Sequence, residues 1–245
     1  MKQVRFLSTT FAASIIILFS SCGSADETKT EEAITTAESP STATAQEAAP
    51  AANPADIMLM QFKVADYAKW HAKFESRDSI RKPYGLTNYV AGKGLDDPKR
   101  VIVFLKMDDV AKAKELTASQ GMKDRMKEAG VTGPATFTYL ETVMDDNSTI
   151  PQTNRLIMMA KVKDFDAWKK EFDSNKQGRI DAGLIERAIG YSKDDKQQVV
   201  IVFAVTDIAK AKAYLQSQDL KDKMAKAGVE GKPTSFFYNI EKMYQ

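Results

Sequence analysis

One histidine, His71, and one cysteine, Cys22, are all that this 245-residue chain offers as imidazole and thiol. A Ser-His-Asp triad or a zinc centre needs further suitable ligands, so hydrolase and metalloenzyme chemistry fall away and no metal site is expected. No Gly-x-Gly-x-x-Gly or Walker-type loop occurs, because Gly92-Lys93-Gly94 is too short and lies between two strand patterns rather than before a helix. Nucleotides and flavins have no visible cradle, and no cofactor is expected. His71 sits beside Trp70 on a helical stretch, about 100° around from its apolar stripe, which predicts an exposed polar residue. An acid or base acting on a bound substrate would have to come from Glu186, Arg187 or Asn88.

The remaining chemistry is that of binding. Asn88, Tyr89, Phe137, Tyr139, Phe236 and Tyr238 lie on strand patterns and could face a ligand; packing a core is the alternative use of the same side chains. Alternation puts Phe137 with Tyr139 on one face and Phe236 with Tyr238 on one face, with Phe237 opposite. The candidate pocket set is Asn88, Tyr89, Tyr139, Glu186, Arg187 and Tyr238, suited to a small apolar or aromatic molecule. Arg81 and Arg179 end helical patterns, where a cation is favoured by the helix C-terminus; structural use and anion contact are both open to them. Met58, Met60, Met158 and Met159 suit an adaptable pocket or act as gap fillers.

These residues belong to a sequence that repeats. Val64-Ala65-Asp66-Tyr67-Ala68-Lys69-Trp70, then Phe74 and Arg81, returns 98 positions later as Val162-Lys163-Asp164-Phe165-Asp166-Ala167-Trp168, then Phe172 and Arg179. Val101-Ile102-Val103-Phe104 is answered by Val200-Ile201-Val202-Phe203, and Ala111-Lys112-Ala113-Lys114 by Ala209-Lys210-Ala211-Lys212. Two diverged modules therefore occupy residues 56–144 and 155–245, joined by a linker over 145–154.

Each module reads as strand, helix, strand, strand, helix, strand. In the first, Ile57 to Val64 is an apolar strand and Asp66 caps a helix whose Tyr67, Trp70 and Phe74 share one face; Gly85 stops it. Leu86 to Ala91 and Arg100 to Met107 are strands around the turn residues Asp96-Asp97-Pro98. Asp109 begins a second helix, interrupted near Ser119 to Gly121, and Pro134 to Val143 closes the module. The order is that of an α+β ferredoxin-like sheet with both helices on one face. Val101, Val103 and Leu105 point one way while Ile102 and Phe104 point the other, so the third strand is apolar on both sides. A sheet with one wet face would alternate apolar with polar. The second face must be covered, and the other module is the candidate: a closed α/β barrel within one chain, helices outside, formed by a monomer acting as its own pseudo-dimer.

The repeated Val-x-Asp-aromatic-x-x-Trp-x-x-x-Phe, the Asp-x-Ala-Lys-Ala-Lys helix and the Met-x-x-Ala-Gly-Val ending resemble the dimeric α/β-barrel superfamily, more narrowly its antibiotic-biosynthesis-monooxygenase-like branch. The resemblance implies a fold that is ordinarily built from two chains. It also brings two activities to weigh: haem-degrading members need a ligating histidine, for which only His71 exists, and cofactor-independent oxygenases deprotonate a reactive phenolic substrate and let oxygen take the electron. A binding or scaffold protein and a cofactor-free monooxygenase or isomerase are the two surviving functions.

The N-terminus reads as an address. Met1 to Arg5 is positive, Phe6 to Phe19 is mostly apolar but too short for a permanent span, and Phe19-Ser20-Ser21-Cys22-Gly23 resembles a bacterial lipoprotein box. On that resemblance residues 1–21 are removed and Cys22 is lipidated; an ordinary signal peptide followed by a stray cysteine is the alternative. Gly23-Ser24 lacks the aspartate linked with inner-membrane retention, which favours the outer membrane. Residues 22–55 are rich in Ala, Thr, Glu, Ser and Pro and read as a disordered tether, spanning roughly 30 Å. Seven acids between residues 23 and 56 stand against Lys29 alone, whereas the modules carry about +6. Their lysines recur along helical stretches as a solvated face, so no nucleic-acid partner is expected.

Overall fold

The structure, a computed structural model, describes residues 54–244; Cys22, the leader and nearly all of the tether lie outside the described residues. The first module runs β1 (Ile57–Val64), α1 (Tyr67–Ser76), α2 (Asp78–Arg81), a 3-10 turn (Lys82–Tyr84), β2 (Leu86–Gly94), β3 (Arg100–Met107), α3 (Val110–Ala118), α4 (Gln120–Glu128) and β4 (Val131–Asp145). The second repeats the order with β5 (Asn154–Val162), α5 (Phe165–Ser174), α6 (Lys176–Asp181), β6 (Leu184–Ser192), β7 (Asp195–Val205), α7 (Ile208–Gln216), α8 (Gln218–Lys226) and β8 (Val229–Met243).

Local chemistry sets the helix ends in the same way four times. Asp66, Asp109, Asp164 and Asp207 are extended N-caps whose carboxylates accept from backbone N–H groups in the first turn, for instance Lys69 N at 2.9 Å. Ser119 and Ser217 each end one helix and cap the next, accepting from Met122 N and Leu220 N. That is why the second helical segment of each module is broken in two.

All strand pairs are antiparallel. The sheet of each module has the ferredoxin-like order, β4-β1-β3-β2 and β8-β5-β7-β6, and β2 joins β8 while β4 joins β6, closing one eight-stranded barrel. Closure removes every sheet edge. At the two seams the strands come so close that a Cβ on Gly92 would meet Asn239 O at 2.6 Å, and one on Gly190 would meet Glu141 O at 2.7 Å. Glycine is required at both, and the two positions are equivalent in the repeat. Exposed cross-module ion pairs, Lys212 with Asp96 at 3.3 Å and Lys114 with Asp194, are equivalent in the same way. Pairs this exposed contribute little energy.

Three apolar layers result. Met58, Met60, Phe62, Val101, Val103 and Leu105 pack under Trp70, Phe74 and Leu116; Leu156, Val162, Val199, Ile201 and Phe203 pack under Trp168 and Ala211. Between the sheets, Leu59, Ile102, Phe104 and Leu140 of the first module meet Ile157, Val200, Val202 and Tyr238 of the second. The doubly apolar third strand is thereby accounted for: its odd residues face helices and its even residues face the other module.

The identical tetrapeptides of β3 and β7 are not equivalent in the fold. Met58 pairs with Leu105 and Leu156 with Phe203, so structural equivalence runs at 98 positions, whereas the tetrapeptides are offset by one more. Phe104 faces the lumen and Phe203 faces the helices. A one-residue shift exchanges the two faces of a strand.

Candidate functional site

Two equivalent clefts lie between each sheet and its helices. The first, of about 60 Å³, is walled by Met58, Met60 and Phe62 from β1, Trp70 and Phe74 from α1, and Met122 and Met126 from α4. The second, of about 70 Å³, uses Met158 from β5, Trp168 and Phe172 from α5, Phe203 from β7, and Tyr214 and Met224 from the later helices. In each, the i, i+4 aromatic pair of the first helix is in contact: Trp70 stacks on Phe74 with centroids 5.2 Å apart, and Trp168 meets Phe172 at 5.0 Å with the rings tilted by 31°. The helix stripe legible in the sequence thus builds the walls as well as the core.

A buried arginine floors each cleft. Arg81 is 8% exposed; its Nη2 donates to Phe74 O at 2.9 Å and its guanidinium carbon lies 4.0 Å from the Phe74 ring centre. Arg179 is 5% exposed; its Nη1 donates to Phe172 O at 2.6 Å and its guanidinium carbon lies 3.6 Å from the Phe172 ring centre. The surroundings then diverge. Arg179 Nε donates to Glu186 Oε1 at 3.1 Å, and Nη2 binds the same oxygen. The position equivalent to Glu186 is Asn88, and there both Arg81 Nε and Asn88 Oδ1 are buried without a hydrogen-bond partner. Asp78 approaches Arg81 Nη2 only to 3.6 Å and from the helix side. Burial holds the Arg81 pKa below its usual value, with Asp78 acting in the opposite direction.

The six candidate pocket residues do not form one pocket. Asn88 and Tyr139 lie beneath the helices of the first module and Glu186 beneath those of the second. Tyr139 is 8% exposed and its hydroxyl is bonded to Thr117, with Phe137 on the same helix-facing side, so neither lines the lumen as alternation alone allowed. Tyr89, Arg187 and Tyr238 do converge, at one mouth of the barrel, on a cavity of about 50 Å³ shared with Arg155. β-Bulges after Asn88 and after Glu186 aim Tyr89 and Arg187 there, at equivalent positions. Tyr89 donates to Asp145 Oδ2 at 2.8 Å, Arg187 to Asp146 Oδ2 at 2.9 Å, and Arg155 to Gln152 O at 2.6 Å. Burial raises the Asp145 pKa and raises those of Tyr89 and Tyr238. Below this mouth the lumen is filled with side chains, while a hollow of about 560 Å³ around Arg100, Lys212 and Phe236 is open to the surface.

His71 departs from its expected exposure. Its Nε2 is 3.0 Å from the Tyr244 hydroxyl, its ring stacks on Tyr67 at 5.6 Å, and its side chain is only 20% exposed. The C-terminal end of the second module folds over α1 and covers it, a long-range contact that helical geometry alone does not register. Among the described residues no group of three or more His, Cys, Asp or Glu side chains could hold a metal ion, and no helix is long and apolar enough to cross a membrane.

The clefts present Trp, Phe and Met walls, but at about 60 and 70 Å³ they are well below the roughly 300 Å³ at which ligand pockets begin, so seating a ring requires those walls to move; neither contains a paired nucleophile and base. The sequence offered the methionines and tryptophans that wall them but not the free space, which depends on how far the second helical pair stands off the sheet.

Comparison with known proteins agrees with the architecture. No family model and no curated protein matches the chain. Among solved structures, an anthrone oxidase-like protein superposes with a TM-score of 0.53 at 14% identity, over 78% of this chain and 92% of that one. A candidate monooxygenase from Fusobacterium nucleatum gives 0.50 at 13% identity over 77% and 94%, and another from Lactobacillus acidophilus gives 0.50 at 10% identity over 78% and 96%. At such identities the likeness is one of fold: the chain is an α+β protein of two ferredoxin-like modules closed into a single barrel.

Proposed function

We propose that this chain is a lipid-anchored envelope protein that binds a small apolar or aromatic molecule in the clefts between its sheet and helices, as a tandem member of the antibiotic-biosynthesis-monooxygenase-like branch of the dimeric α/β-barrels. The observation that carries the binding reading is the pair of equivalent clefts, each walled by a Trp and Phe in contact, faced by methionines and floored by a buried arginine. Methionine walls adapt to shape, and a small number of polar groups in an apolar hollow fixes orientation. The anchor reading rests on the leader and Cys22. Thermal-shift and tryptophan-fluorescence titration of the chain against a panel of small aromatic compounds and haem tests the binding reading, since Trp70 and Trp168 line the clefts; saturable quenching is expected, and silence across the panel would contradict binding there.

A second reading, oxygenation of an electron-rich aromatic without a cofactor, is supported by the fold shared with an anthrone oxidase-like protein and two candidate monooxygenases. Fold analogy alone carries it. Oxygen uptake on addition of an anthrone or a hydroquinone is its test.

A further inference from the structure

The two modules serve as internal controls for each other, and the comparison separates their clefts. We infer that the first cleft is a site for a small organic anion, a carboxylate on an apolar or aromatic body, anchored on Arg81, and that Glu186 occupies the equivalent anchor of the second cleft from within the chain. This inference rests on the proposed cleft reading and names the class of ligand.

Three observations carry it. Arg179 and Arg81 hold equivalent places, donate to equivalent backbone carbonyls, Phe172 O and Phe74 O, and lie over the equivalent rings of Phe172 and Phe74. What Arg179 has in addition is a carboxylate: Glu186 takes both Nε and Nη2 at a site where its own side chain is 13% exposed. In the first module that carboxylate is replaced by the neutral Asn88, and the Nε of a more than nine-tenths buried arginine is left with no acceptor. A buried donor on a charged group without a partner is costly, and an oxygen anion gives Arg81 Nε its acceptor; the Asn88 amide, whose Oδ1 also lacks a partner, then has to turn its NH2 group toward that anion.

The charges around the two clefts point the same way. The ionisable groups lining the first are Lys73, Arg77, Arg81 and Arg125, all cationic. The second is lined by Lys223 and Arg179 together with the acid Glu171. Arg77 is bonded to Glu128 at 2.7 Å, at the outer rim, and Asp78 touches Arg81 from the helix surface; neither carboxylate reaches Nε. An anion entering the first cleft meets Met58, Met60, Met122 and Met126, whose unbranched side chains can shift to seat a ring in a space that is small at rest.

Isothermal titration of the purified full chain with sodium benzoate, and with benzyl alcohol as the neutral analogue of similar shape, tests this. Benzoate is expected to bind at one site per chain, at least tenfold more tightly than benzyl alcohol. Asn88→Glu, which gives Arg81 the carboxylate that Arg179 already has, should abolish that preference by weakening benzoate tenfold or more. Glu186→Asn should open the second anchor and raise the benzoate stoichiometry from one to two; should that variant fail to fold, Asn88→Glu decides alone. Equal affinity for benzoate and benzyl alcohol, two benzoate sites in the parent chain, or undiminished benzoate binding in Asn88→Glu would overturn the anion anchor while leaving the apolar clefts standing. Binding of neither probe would remove the cleft reading itself, and this inference with it.

Discussion

Phe104 of the first module and Tyr238 of the second meet inside the barrel with ring centroids 6.3 Å apart. They come from strands that never pair with one another, so the contact belongs to the packing of sheet against sheet. Around them Ile102, Leu140, Ile157 and Val202 complete a core to which each module supplies about half. Neither sheet has a second dry face without the other.

Phe104→Ala should therefore destabilise the protein by about 3–5 kcal/mol, the usual cost of deleting a buried aromatic ring. Because the cavity opens between the modules, urea unfolding followed by circular dichroism should retain a single transition shifted to lower urea. Separation into two transitions, one of them unshifted, would mean that the modules are stable independently.

Glu186→Ala should cost about 3–5 kcal/mol, since it leaves Arg179 buried and uncompensated. The double variant Arg179→Met, Glu186→Leu removes both charges and should recover most of that loss. Thermal unfolding of the three proteins checks this, and a single substitution as mild as the double would show that the pair is not desolvated.

Asp145 carries a pH signature. Burial raises its pKa in the folded chain, despite the hydrogen bond from Tyr89 and the nearby Lys106 and Arg187. A carboxyl with a raised folded pKa gives stability that is fully present below its unfolded value, about 3.9, and is lost as pH rises through the folded value. Relative to Asp145→Asn, whose amide oxygen still accepts from Tyr89, the parent should lose stability as pH climbs from about 3 through the acid range. A stability difference that grows in favour of the parent with rising pH would contradict the assignment of burial as the dominant cause.

Cys22→Ala should move the protein from the membrane fraction to the soluble fraction, because several acyl chains on one residue would be the sole anchor. Fractionation by ultracentrifugation reads the outcome, and continued sedimentation with membranes would count against lipidation at Cys22.

The architecture was legible in the sequence because its signals are local and repeated. Asp66, Asp109, Asp164 and Asp207 mark helix starts by their capping chemistry, and the run from Val101 to Leu105 announces two dry faces. What was not legible depends on single-residue phase and on distant contacts. The bulges after Asn88 and Glu186 turn Tyr89 and Arg187 to the lumen while leaving Asn88 and Glu186 under the helices, splitting neighbours that sequence reading groups together. The matched tetrapeptides of β3 and β7 lie one residue out of structural phase, so Phe104 faces the lumen and Phe203 the helices although the letters align. The covering of His71 by Tyr244 spans 173 positions, beyond the reach of any periodicity. The ion pair between Arg179 and Glu186, seven residues apart across a turn, was visible only as two separate candidates.

The most direct test of the shared barrel is nuclear Overhauser contact between the Phe104 ring and the Tyr238 ring or Val202 methyls, measured in uniformly labelled chain and again in a mixture of labelled and unlabelled chains with isotope filtering. Contacts present in the labelled sample and absent from the filtered mixture are predicted, since both sides belong to one molecule. Contacts appearing between labelled and unlabelled chains, or none at all, would show that these surfaces are covered by a second subunit or are turned apart.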